Sequence, residues 1–158
     1  MAGRITASET QLKPDPRYQD KVVARFINCI MQDGKRTVAQ RIVYGAFDEI
    51  EKRTEGNPAA IEVFHKALEN VRPSVEVRSK RVGGANYQVP MQVNRKRQQS
   101  LAFRWIIKAA RAGKGKPMHL KLARELYEAS NNEGQAVSTR DQTHRMADAN
   151  KAFAHFAW

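Results

Sequence analysis

Cysteine is almost absent from this chain: Cys29 is the one example. A single thiol excludes an internal disulfide and a multi-thiolate metal site. Seven residues after Val22 on a helical stretch, Cys29 is expected to be a buried structural thiol. Also missing is any run of about 18 apolar residues, so no segment reads as a membrane span. Residues 1–18, MAGRITASETQLKPDPRY, have no apolar stretch of signal-peptide type, and Glu9 and Asp15 make a poor transit peptide. The expected compartment is the cytoplasm.

Catalytic groupings are equally scarce. His65, His119, His144 and His155 show no metal-ligand spacing, and no HExxH or Cys/His cluster occurs. RVGGAN at 81–86 lacks the GxxxxGK[ST] pattern of a phosphate-binding loop and precedes a strand pattern, not a helix. The pairs Glu49/Glu51 and Glu125/Glu128 are ordinary on solvated helices, with nothing nearby to supply a second catalytic role. The reading is a non-enzyme with no cofactor, no metal and no small-molecule substrate.

The most informative absence is local. Between Glu76 and Glu125 there is no acidic residue, while the same stretch holds thirteen basic ones. They are Arg78, Lys80, Arg81, Arg95, Lys96, Arg97, Arg104, Lys108, Arg111, Lys114, Lys116, Lys121 and Arg124. The chain has 28 Lys and Arg against 16 Asp and Glu, so its net charge of +12 resides in this segment. A merely soluble surface mixes both signs. An uncompensated cationic stretch suits a polyphosphate partner.

At 158 residues the chain fits one domain with a real core. Residues 1–19, broken by Pro14 and Pro16, read as an irregular N-terminal arm ordered by RNA, followed by one helical domain over 20–158. Asp20 is placed to cap a first helix carrying Val22, Val23, Phe26, Ile27 and Ile30, which Asp33-Gly34 ends. A second runs from about Lys35 to Arg53, and Asn57-Pro58 is expected to open a third.

The period then shortens to two. Val71, Pro73, Val75 and Val77 alternate with polar residues, as do Tyr87, Val89, Met91 and Val93, which predicts a two-stranded ribbon over 71–93 with Gly83-Gly84 near its tip. Tyr87 is expected to pack on the ribbon rather than stack on a base. Helical period returns after Asn94, with Leu101, Ala102, Trp105, Ile106 and Ala109 inward. Pro117 opens a fifth helix, and Ser138/Asp141 has capping-box spacing for a last helix running through Met146, Phe153 and Phe156 to Trp158. The fold class is therefore mainly α: about six helices in a bundle-like body, with one β-ribbon between the third and fourth.

On residue chemistry alone, several partners stay open. Arginine forks bind phosphate bidentately, and few aromatics are free to stack, which favours backbone and shape recognition of folded RNA. A ribbon arm on a helical body also suits an architectural DNA-binding protein. A scaffold for an acidic protein is a third reading.

Four stretches carry a resemblance: FINCIMQDGKRTVAQRIVYGA (26–46), VRPSVEVRSKRVGGANYQVPMQV (71–93), RKRQQSLAFRW (95–105) and RMADANKAFAHFAW (145–158). In order and across nearly the whole chain, they resemble the family of bacterial ribosomal protein seven of the small subunit. The resemblance implies a helical protein with a protruding ribbon. It implies binding to the 3′ major domain of small-subunit ribosomal RNA, nucleation of head assembly, and a position lining the tRNA exit site and mRNA exit path. Carried onto this chain, ribosomal RNA would be bound by Arg4, Lys13 and Arg17 of the arm and by Lys35, Arg36 and Arg41. Arg78, Arg95, Arg97, Lys108, Arg111, Lys114 and Lys116 complete that set. Lys80, Arg81, Val82, Gly83 and Gly84 at the tip, with Arg140, His144 and Arg145, would lie near exit-site tRNA or mRNA. Phe153, Phe156 and Trp158 would approach ribosomal protein eleven of the same subunit. The arm carries fewer arginines than in some relatives, which implies a smaller share of the affinity.

Overall fold

The computed structural model describes residues 11–157. Six α-helices follow in order, α1 (Lys21–Ile30), α2 (Arg36–Thr54), α3 (Ala60–Val71), α4 (Arg95–Ala112), α5 (Met118–Ser130) and α6 (Gln135–Ala149). Strands β1 (Val75–Val82) and β2 (Ala85–Gln92) form an antiparallel ribbon between α3 and α4, and a 3-10 helix, Lys151–Phe156, ends the described chain. Arg4 and Trp158 lie outside the described residues.

Local signals start the elements well. Asp20 caps α1 by accepting the Val22 and Val23 N–H groups, and its other oxygen lies 2.6 Å from His65 Nε2 of α3. Asn94 caps α4 through the Arg97 N–H at 2.9 Å. Gly83 and Gly84 adopt φ of 57° and 86°, the paired positive values that a two-residue hairpin turn requires.

Phe26, Phe47 and Phe64 form the centre of the core, with ring centroids 5.2 Å (Phe26–Phe64) and 5.4 Å (Phe47–Phe64) apart. Phe103 of α4 joins them 5.2 Å from Phe26. Helix α5 runs through the middle, packed on α2, α3 and α4. Gly45 lets α5 approach α2 closely, since a Cβ there would sit 3.3 Å from His119 Cβ. Each fully buried Phe, Leu or Ile contributes roughly 1.5–3 kcal/mol over its exposed state.

Several expectations need correction. Asn57 does not cap α3: the Asn57–Pro58 peptide is cis, inside a turn held by Thr54 Oγ1 donating to the Pro58 carbonyl, and the helix starts at Ala60. Ser138 does not open α6, which begins at Gln135 because Glu125 of α5 accepts the Ala136 N–H at 2.8 Å. Nor does α6 run to the C-terminus. It stops at Ala149, leaving Met146 exposed, and the 3-10 helix turns back onto β2. On α4, Phe103, Ile107 and Ala110 are buried while Trp105 and Ala109 are only partly so, because α4 packs on α1, α3, α5 and α6 at once. Cys29 is exposed, on an edge of α1 that lies open beside Ser100 of α4.

Candidate nucleic-acid interface

Helices α1 and α4 meet through Phe26 and Phe103, and their outer edges diverge from that contact. Two clefts open between them and share Cys29, Ser100 and Phe103, so they form one continuous groove. The volumes are about 770 Å³ and 460 Å³. The first is lined by Lys13, Arg25, Arg36 and Lys96, the second by Arg104, Lys108 and Arg111. Among the described residues no carboxylate lines either one. Seven cations around one groove set up a positive potential that attracts a polyanion. One arginine also braces the fold: Arg111 Nη2 donates to the Ile30 carbonyl at 3.2 Å, setting a cation against the C-terminus of α1.

The structure thus brings Lys13, Arg36, Lys108 and Arg111 together from three parts of the sequence. It adds Arg25, Lys96 and Arg104, which the sequence reading left out of the site. Their helical spacing was a usable signal, because Arg25 and Cys29 share a face, as do Arg104, Lys108 and Arg111. Lys35 borders a separate small cleft with Met31, Val38 and Ile42, while Arg41 and Arg95 are exposed on α2 and α4. Lys114 and Lys116 stand elsewhere, over a mixed-charge cleft that also holds Glu49, Glu125 and Glu128.

Other predicted residues have internal partners. Glu76 is buried at the base of the ribbon, held by Arg78 Nε at 2.7 Å and Arg97 Nε at 3.1 Å. The acid that begins the acid-free stretch is therefore already neutralised, and it ties β1 to α4. Arg17 pairs with Asp48 at 2.5 Å and lies over the Tyr18 and Tyr44 rings. Beside it Asp15 is fully buried and accepts from the Arg17, Tyr18 and Asp20 N–H groups and the Tyr44 hydroxyl. Burial pushes the Tyr18 phenol up to about 12.

The ribbon's register places Glu76, Arg78 and Lys80 opposite Met91, Val89 and Tyr87, so polar residues of β1 share a face with apolar residues of β2. The apolar alternations of the two strands thus fall on opposite faces. Tyr87 packs against Phe153 and Phe156, each with a centroid distance of 5.1 Å, and Lys80 Nζ donates to the Phe156 carbonyl at 2.7 Å. Beyond this brace, Arg81, Gly83 and Gly84 are exposed and Val82 is half-buried. On α6, Arg140 is mostly buried, bonded to Asp141, Asn132 and the Asn70 carbonyl. His144 Nε2 accepts the Ser74 N–H at 3.2 Å, and Arg145 is exposed.

Among the described residues no His, Cys, Asp or Glu group is arranged to hold a metal, and no helix is long and apolar enough to cross a membrane.

Residues 2–151 match the family described as ribosomal protein S7p/S5e. The chain is 63% identical to small ribosomal subunit protein uS7 of Rhodopirellula baltica over 99% of both chains. It is 55% identical to the protein of that name from Thermotoga maritima, over 98% of this chain and 99% of the relative. Against the Hyphomonas neptunium protein, identity is 54% over the full length of both. With matches of that extent and a helical body interrupted by one ribbon, this chain belongs to the ribosomal protein S7p/S5e family.

Proposed function

We propose that this chain binds the 3′ major domain of small-subunit ribosomal RNA, nucleates assembly of the head, and there faces exit-site tRNA and the departing mRNA. As a family member it is a structural constituent of the small ribosomal subunit and not an enzyme. One observation supports the RNA reading above the others: the α1–α4 groove, lined by seven basic residues and, among the described residues, no acid. Arg95 and Lys35, exposed and next in sequence to Lys96 and Arg36 of the lining, add to the cationic surface, and Lys114 and Lys116 offer a second, weaker contact. Arg78 and Arg97 serve partly through Glu76, and each keeps about two fifths of its side chain open for phosphate.

The exposed tip, Arg81–Gly84, and Arg145 suit a second nucleic acid, tRNA or mRNA. Arg140 and His144 act by holding α6 against α3 and the foot of the ribbon. Phe153 and Phe156, half-buried on Tyr87, leave area for protein eleven of the subunit.

Salt-titrated binding tests the assignment. The competitors are the 3′ major domain RNA, an unrelated structured RNA and mixed duplex DNA. Each phosphate contact adds about 0.7–0.9 to the log–log salt slope, so four or more contacts predict a slope steeper than about −3. A preference for the first RNA of at least a hundredfold, by a monomer, is expected. Equal binding to all three would replace this reading with a generic polyanion binder.

A further inference from the structure

We infer that the Asp33–Gly34 turn between α1 and α2 is a site of spontaneous isoaspartate formation, and so a substrate for a methyltransferase that recognises isoaspartate. The chemistry needs no RNA, and only its consequence for RNA rests on the reading above.

Asp33-Gly34 is the single Asp-Gly pair of the chain, and no Asn-Gly pair occurs. The reaction joins two groups that this turn leaves free. Both residues are exposed, and among the described residues the Asp33 carboxylate has no hydrogen-bond or ion-pair partner. The Gly34 N–H likewise donates to none of the described residues. Gly34 has no Cβ to hinder attack at its nitrogen, and a Cβ built there would meet nothing within 4 Å, so a ring has room to form. Asp33 and Gly34 both lie in the left-handed region, with φ of 53° and 72°. Two backbone bonds close the turn, from the Lys35 N–H to the Gln32 carbonyl and from the Arg36 N–H to the Gly34 carbonyl, each 2.9 Å. Local opening of so exposed a segment needs little free energy, and it lets the Asp33 carboxyl swing against the Gly34 nitrogen.

Comparable residues are blocked. Asp15 and Asn57 precede prolines, whose nitrogen carries no hydrogen. Asn132 also has positive φ, but its side-chain oxygen accepts from Arg140, and the next N–H, that of Glu133, donates to the Glu128 carbonyl. Asp141 and Asp148 lie within α6.

In the reaction the Gly34 nitrogen gives up its proton and bonds to Asp33 Cγ. The carboxyl hydroxyl leaves with a proton as water, and a succinimide remains. Water then adds to one of the two ring carbonyls. Opening at Cγ restores aspartate. Opening at the former backbone carbonyl routes the chain through Cβ and leaves a free carboxylate on Cα. One water leaves and one returns, with nothing oxidised or reduced. A methyltransferase moves the methyl group of S-adenosylmethionine onto that carboxylate, and methanol leaves when the succinimide re-forms. The isomer lengthens the turn by one backbone atom. Lys35 precedes the first residue of α2 and Arg36 lines the groove, so both cations are displaced.

The full-length protein is aged without RNA in mildly alkaline buffer. Isoaspartate is then read by fragmentation mass spectrometry at each position and by methyl uptake from labelled S-adenosylmethionine. Position 33 is expected to hold at least tenfold more than any other. Asp33→Glu, which would need a larger ring, should lower methyl uptake at least tenfold. Asp33→Asn should raise it, because ammonia is the better leaving group. Circular dichroism of both variants checks that they fold. Aged protein should bind the 3′ major domain RNA about tenfold more weakly than fresh protein. The methyltransferase with S-adenosylmethionine should restore binding, and the enzyme alone should not. Aged Asp33→Glu, the control for other damage, should keep its affinity.

Isoaspartate spread evenly over exposed positions overturns the site. So does its formation in a peptide of residues 26–41 but not in the folded protein, since the native turn would then protect the pair. Aged protein that carries isoaspartate at 33 and binds RNA as fresh protein does overturns the link to the groove. Fresh protein that fails to bind this RNA defeats the proposed function and leaves the isomerisation site standing.

Discussion

Tyr87 of β2 and Phe153 of the terminal 3-10 helix pack with ring centroids 5.1 Å apart, which joins the middle of the ribbon to the end of the chain. Phe156 adds a second ring at the same distance from Tyr87, and its carbonyl accepts the Lys80 ammonium. A two-stranded ribbon is marginally stable alone, so this brace and the Glu76 ion pairs at its foot set its direction.

Replacing both rings, Phe153→Ala with Phe156→Ala, should therefore loosen the ribbon and leave the helical core folded. Each aromatic pair is worth about 0.5–1.5 kcal/mol beyond its buried area. Amide exchange across residues 78–89 is expected to accelerate roughly tenfold or more, with the α5 amides unchanged. Uniform acceleration through α5 would show that the terminal segment supports the core instead.

Asp15 should matter more than its place near the chain start suggests. Its buried carboxylate accepts four hydrogen bonds, three from backbone N–H groups and one from Tyr44. Hydrogen bonds to charged groups contribute about 1.5–3 kcal/mol each, and they act here as one unit, so the losses do not add. Asp15→Ala is expected to cost about 3 kcal/mol in urea unfolding, and proteolysis should cut first between Lys13 and Lys21. An unchanged midpoint would mean that residues 15–20 are held by the Arg17–Asp48 pair.

What could be read from the sequence was whatever depends on near neighbours. Asp20 and Asn94 cap helices two or three residues away, and Gly83-Gly84 meets a turn requirement within its own dipeptide. The cationic segment was also plain, because missing acids need no structure to be counted. Contacts between distant residues were not readable. Glu125 starts a helix eleven positions later, and Tyr44 reaches Asp15 across twenty-nine. Ribbon register decided which alternation faces the body, and two strands with opposite answers cannot be told apart from period alone. Arg25 has no acid-free stretch of its own to mark it, and its place in the groove appears only when α4 lies beside it.

Glu125 offers a prediction with a defined sign. The carboxylate is nearly buried and accepts the Ala136 N–H, while desolvation pushes its pKa above the ordinary carboxylate value. The Ala136 bond and Arg124 pull the other way, with less effect than burial. In the window between the ordinary Glu value of about 4.3 and the raised folded one, the native state holds more protons than the unfolded chain. Stability from this group is thus fully present below the unfolded pKa and declines as pH rises through the folded one. Glu125→Gln keeps a carbonyl acceptor for Ala136 and removes the desolvated charge. It should flatten that decline as pH rises above the ordinary Glu value, at little cost in stability at neutral pH. Glu125→Ala removes the acceptor as well and should cost about 1 kcal/mol, the usual effect of losing a helix N-cap. Thermal unfolding of the three proteins across that range reads both effects. If wild type and Glu125→Gln show parallel pH profiles, burial does not govern this carboxylate, and the hydrogen bond to α6 outweighs its desolvation.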